Sequence, residues 1–113
     1  MFDKMKNMGS MLEMMKNAGA IKEKMKSMQE ELGRQSFEAE AGAGRVTAQV
    51  SGKMLLERVR IDKDRIDMSN TEMLEDLIVA AVNAAQAKAV LALKEGMDKM
   101  AKDLNLPPGL LGG

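Results

Sequence analysis

The chain has 113 residues, 17 basic and 17 acidic side chains, and neither cysteine nor histidine. That length is one domain with a modest core, and the missing residue types exclude disulfides, zinc sites built on Cys or His, and catalysis by a Cys nucleophile or a His base. With only Phe2 and Phe37 as aromatics, a stacking platform for single-stranded nucleic acid is not expected.

The zero net charge is segregated along the chain. Residues 1–29 carry six Lys against three acids, and residues 30–44 one Arg against four. Residues 45–65 carry six basic side chains against three acids, and residues 66–113 four against seven. Asp3, Lys4, Lys6 and Asn7 leave no apolar run for a signal peptide, so a soluble, cytoplasmic protein is expected.

Residues 1–33 read as helix one. Ile21, Met25, Met28 and Leu32 fall at steps of four, three and four, and Met11, Met14 and Ala18 extend the same coiled-coil-like seam backwards. A second stripe, Met5, Met8, Leu12 and Met15, widens the apolar face. Gly9 and Gly19 each cost roughly 1 kcal/mol of helix propensity relative to Ala. A break at 18–20 and frayed first turns are expected, with Gly33 as C-cap.

Three strands follow, within 34–62. Phe37, Ala39 and Ala41 alternate with Ser36, Glu38 and Glu40; Val46, Ala48 and Val50 alternate with Thr47, Gln49 and Ser51. Gly42-Ala43-Gly44 reads as a turn with two residues free to take positive φ, and Gly52-Lys53 as the next tight turn. In 54–62, Glu57 shares a face with Leu55, Val59 and Ile61, a conflict that a bulge near 54–57 resolves. Arg58 and Arg60 take the opposite face. This antiparallel meander has one apolar face and needs a helix on it.

Residues 63–68 read as a charged loop. Ser69-Asn70-Thr71-Glu72 reads as a capping box opening helix two, with acids favoured in its first turn. Helix two spans 69–104, ~50 Å at 1.5 Å per residue, and 105–113 is a Pro-Pro-Gly tail. One stripe is Ile78, Val82, Ala85, Ala89, Leu93 and Met100, interrupted by Gly96. Between Leu77 and Leu93 the only polar side chains are Asn83, Gln86 and Lys88. A helix apolar almost all round needs cover on more than one side. The chain's sheet covers one side; a second copy is the simplest cover for the other. A homodimer built on Leu77, Ile78, Ala81, Val82, Ala85 and Ala89 is therefore expected. The apolar run is too short and too interrupted for a membrane span. Asn83, interior by position, reads as a register-fixing amide.

No catalytic constellation, cofactor site or small-molecule site emerges. Met-x-x-Met pairs (Met5/Met8, Met11/Met14, Met25/Met28, Met97/Met100) are the spacing of a Cu(I) site, but without His or Cys they read as packing. Asp62, Asp64 and Asp67 among basic neighbours read as a solvated loop. Lys4, Lys6, Lys16, Lys22, Lys24 and Lys26 are placed on the exposed side of helix one. They suit phosphate contact, a solvated coiled-coil face, or an anionic membrane surface; the last leaves the sheet and the second helix unexplained.

The residues also carry a resemblance. Lys24-Met25-Lys26-Ser27-Met28-Gln29-Glu30-Glu31-Leu32, Gly42-Ala43-Gly44-Arg45-Val46, Gly52 and Val59-Arg60-Ile61-Asp62 resemble the YbaB/EbfC family of bacterial nucleoid-associated proteins. So does the run from Met73 to Ala85, and Leu106-Pro107-Pro108-Gly109 looks like the family's tail. Lys63 stands where the family commonly has Pro, and Ala84 where it commonly has an acid. The resemblance implies an α+β fold of α-β-β-β-α subunits, a three-stranded antiparallel meander flanked by two long helices, in a tweezer-like homodimer. It implies duplex DNA as partner, in the nucleoid, with helices gripping the duplex. DNA contact is then expected from the six helix-one lysines with Lys88 and Lys94 of helix two. The alternative is a protein-interaction module using the Met5, Met8, Leu12 and Met15 face.

Overall fold

A computed structural model describes the backbone of residues 2–105 and the side chains of residues 17–105. The elements are α1 (Phe2–Gly33), β1 (Ser36–Ala41), β2 (Val46–Ser51), β3 (Leu56–Ile61), a 3-10 turn at Lys63–Arg65, and α2 (Thr71–Asp103). This is an α+β fold in the expected α-β-β-β-α order, with an antiparallel sheet ordered β1-β2-β3. The Pro-Pro-Gly tail lies outside the described residues.

Strand alternation decides which side chains enter the core. Phe37–Val50–Leu56, Ala39–Ala48–Val59 and Ala41–Val46–Ile61 form three cross-strand rows on the inner face. Val46 and Val50 are fully buried, each contributing about 1.5–3 kcal/mol. The expected bulge is present. Arg58 pairs with Gln49 and Leu56 with Val50, so Glu57 has no partner in the ladder. Its carboxylate turns to the outer face, where Oε1 accepts from Ser36 Oγ at 2.8 Å and Gln49 Nε2 at 3.4 Å.

Both turns fall where expected, at 42–44 and at Gly52-Lys53. Gly42, Ala43 and Gly44 all take positive φ (62°, 56° and 88°), so the strain extends to an alanine; Arg65 Nη2 donates to the Ala43 carbonyl at 2.9 Å and pins it. In the second turn Met54, not Gly52, takes positive φ (68°). Gly52 serves close approach instead. A Cβ there would lie 1.9 Å from the Leu32 carbonyl oxygen, and the Gly52 N–H donates to the Gln35 carbonyl at 3.1 Å. The β2–β3 turn thus sits directly on the end of α1.

α1 is continuous through 18–20, where a break was expected, and Gly33 closes it without positive φ. The Lys53 side chain lies over Gly33, at the end of the helix. The N-cap of α2 is Asn70, whose side chain accepts from the Met73 N–H at 3.2 Å, so the Ser69–Glu72 capping box does not form. Ser69 instead donates its N–H and hydroxyl to Asp67 Oδ1, and those bonds hold the Asp67 carboxyl below the usual aspartate range. The loop read as charged has one apolar anchor, the buried Ile66.

α2 lies over β1 and β2. Its contact face is alanine: Ala81, Ala85 and Ala89 are buried, with Val46, Ala48 and Val50 in one cluster. Small side chains let the helix backbone come close to the sheet. By length and composition α2 meets the test for a membrane span, longer than the run read from sequence; here its alanine face is the core of the domain. Asn83, expected to be interior, is exposed, because the sheet covers the opposite side of the helix. Gly96 does not interrupt the stripe. A Cβ there would lie 2.8 Å from Met28 Sδ, so Gly96 is where α1 docks.

Candidate nucleic-acid interface

The residues expected to contact phosphate divide into three groups. Lys22, Lys24 and Lys26 are exposed on α1. At 100° per residue they flank the Ile21–Met25–Met28–Leu32 seam on both sides, rather than forming one face opposite it. The seam closes only toward the sheet: Leu32 is buried, while Ile21, Met25 and Met28 are half-buried. The side chains of Lys4, Lys6 and Lys16, and those of Met5, Met8, Leu12 and Met15, lie outside the described residues.

On α2, Lys94 is exposed. Lys88 donates from Nζ to the Glu38 carbonyl at 2.7 Å. It therefore occupies an unpaired acceptor on the β1 edge, a common device against edge-to-edge pairing.

The molecule is elongated, 78 Å in its longest dimension and about 20 Å across. α1 meets α2 near its sheet end, in a groove lined by Met28, Leu32, Gly96 and Met100 with Lys24 and Lys99 on its rim. Met28 and Met100, each half of a Met-x-x-Met pair, serve this helix contact.

The expected dimer residues separate by burial. Ala81, Ala85 and Ala89 are 0–1 % exposed under the chain's own sheet, which leaves them no surface for a second copy. Leu77, Ile78 and Val82 are half-buried at the margin of that core. Large apolar side chains at least half exposed lie elsewhere: Val79, Val90 and Leu91 on α2 at 54–58 %, and Leu55 and Leu56 at the start of β3 at 65 % and 50 %. Val79 and Val90 lie about half a turn round the helix from Lys88. Since Lys88 reaches the β1 edge, those valines face away from β1, on the β3 side. The physical reason is width. Three strands ~4.8 Å apart are wider than one helix ~10 Å in diameter covers. Sequence reasoning missed this flank because the alanine stripe and the valine flank are both apolar.

Sequence alternation had placed Arg58 and Arg60 opposite the core but given them no role. On the outer face Glu38 and Glu40 lie on β1, Thr47 and Gln49 on β2, Arg58 and Arg60 on β3. The charges are ordered by strand. Arg60 Nη2 and Glu38 Oε1 approach to 3.9 Å with both side chains more than half exposed, a pairing worth little in solvent.

Comparison with known proteins bears on these surfaces. Residues 6–104 match the model of the YbaB/EbfC DNA-binding family. A nucleoid-associated protein of Rhodospirillum rubrum is 39 % identical over 106 residues, covering 94 % of this chain and 96 % of that one. A nucleoid-associated protein of Gemmatimonas aurantiaca is 45 % identical over 82 residues, covering 73 % and 79 %. A crystal structure of an uncharacterized Helicobacter pylori protein superposes with a TM-score of 0.59 at 16 % identity, over 81 % of this chain and 92 % of that one, a likeness of fold. The chain belongs to the YbaB/EbfC DNA-binding family.

Proposed function

We propose that this protein binds duplex DNA in the bacterial nucleoid, in the cytoplasm, as a homodimer that neutralises phosphates with the lysines of α1 and with Lys94. The observation that carries the reading is the exposed set Lys22, Lys24 and Lys26 on a long helix, in a member of a DNA-binding family. Lysine donates as a point charge and reads no base edge, so affinity comes from counterion release and is largely independent of sequence. Nucleoid organisation and gene regulation are the roles such binding serves. Lys88 contributes less than its neighbours, being held by the β1 edge.

The test is a titration of two unrelated duplexes across a salt series, read by fluorescence anisotropy. Each neutralised phosphate contributes about −0.9 to the slope of log affinity against log salt. Lys22→Glu, Lys24→Glu and Lys26→Glu combined should weaken binding to both duplexes on the order of 100-fold, by losing contacts and adding repulsion. Affinity that stays flat with salt, or a variant that binds like the parent, rejects the reading.

The dimer is supported by the open apolar flank. Leu56, Val79 and Val90 are each half or more exposed on that side, apolar surface that a second copy would cover. Val90→Glu, on a half-exposed side chain, should give a folded monomer by sedimentation and circular dichroism. A parent that sediments as a monomer at micromolar concentration removes the dimer. A variant that still sediments as a dimer removes this flank.

A further inference from the structure

We infer that the outer side of β3 is a second phosphate-binding surface, with Arg58 and Arg60 as its contacts. This rests on the DNA-binding reading above and adds to it a site on the sheet, apart from the helix-one lysines.

Four observations point there. Arg58 and Arg60 are two residues apart on one strand, so both project from the outer face. Their attachment points are ~6.8 Å apart, so they span about two charges of a DNA strand that carries one per ~3.4 Å of axis. β3 is an edge strand, so nothing further in the sheet flanks the two guanidiniums. Three acids share the outer face with them. Glu57 keeps its charge, but its carboxylate is held by Ser36 and Gln49 toward β1 and β2, away from the open edge of β3. Glu38 and Glu40 lie on β1, across the neutral β2. Among the described residues Arg58 has no ion pair, and Arg60 has only the 3.9 Å, solvent-exposed approach to Glu38, which a phosphate would replace.

The basic surface also continues beyond the strand. Exposed Lys63 follows Ile61-Asp62 on the 3-10 turn. Lys53 lies over Gly33 at the end of α1. It stands between the lysines of α1 and the start of β3.

The test compares two variants of equal net charge in the full chain, with the same duplexes and salt series. Arg58→Gln with Arg60→Gln removes the strand contacts. Lys99→Gln with Lys102→Gln removes two exposed cations from the end of α2. The strand variant should bind at least tenfold more weakly than the α2 variant at moderate salt. Its slope should be shallower by up to about 1.8 per subunit, two contacts at ~0.9 each. All four side chains are exposed, so both variants should keep the parent's circular dichroism. A strand variant equal to the α2 variant in affinity and slope overturns the inference and leaves the helix-one reading intact. A parent that binds neither duplex in a salt-dependent way overturns both. A strand variant whose spectrum changes is replaced by Arg58→Lys with Arg60→Lys, which keeps the charge and should restore the slope; failure to restore it counts against the inference.

Discussion

Gly52→Ala is expected to destabilise the domain by about 3 kcal/mol, at the upper end of what overpacking costs. The added methyl would lie 1.9 Å from the Leu32 carbonyl oxygen and 2.3 Å from its carbon, both backbone atoms. No rotamer change relieves that contact. Either the β2–β3 turn retreats, breaking the Gly52 N–H bond to the Gln35 carbonyl, or α1 tilts away from the sheet. In urea the midpoint should fall by roughly 1–2 M. Gly19→Ala is the matched comparison. Nothing lies within 4 Å of its would-be Cβ, and an exposed helical Gly→Ala change should gain up to about 1 kcal/mol. Opposite signs at two glycines of one chain would establish the α1–turn junction. An unchanged midpoint for Gly52→Ala would mean that the turn does not rest on α1. Because that junction fixes where α1 points, the surviving folded fraction of Gly52→Ala should also bind DNA more weakly.

Ala85→Leu is expected to cost about 2–3 kcal/mol, again as overpacking. Ala85 is completely buried against Val46, Ala48 and Val50. Three extra carbons there must lift α2 from the sheet or distort β2. Two residues on, Ala87 is exposed, and Ala87→Leu should change stability by no more than about 0.5 kcal/mol. Thermal melts of the two variants read the difference directly. Equal effects would contradict the placement of the alanine stripe on the sheet. The pair also separates close packing from hydrophobicity, since both substitutions add the same apolar group to the same helix.

Much of the architecture was legible in the residues. Period-two alternation in 36–41 and 46–51 identified the inner face of β1 and β2 correctly, because a one-residue slip would bury Glu38, Glu40 and Gln49. Glu57 announced its bulge by breaking the same pattern. Near-continuous apolar character in α2 announced a helix that needs cover. Local rules failed where two candidates competed within a residue or two. Ser69 and Asn70 can each cap a helix, and the Asp67 carboxylate claimed Ser69.

The sequence by itself determined the order of elements, the inner face of the sheet, the family, and the absence of His and Cys chemistry, because these depend on periodicity and composition along the chain. Only the tertiary structure decided which side of α2 meets the sheet. That side is alanine rather than the bulkier valine flank because close helix–sheet approach favours the smallest side chains, and no periodicity distinguishes two apolar stripes on one helix. The tertiary structure likewise set Lys88 against the β1 edge and exposed Asn83. It also ranged Arg58 and Arg60 along an open strand edge. Each of these depends on what lies across from a residue in space, which neighbours in sequence do not specify.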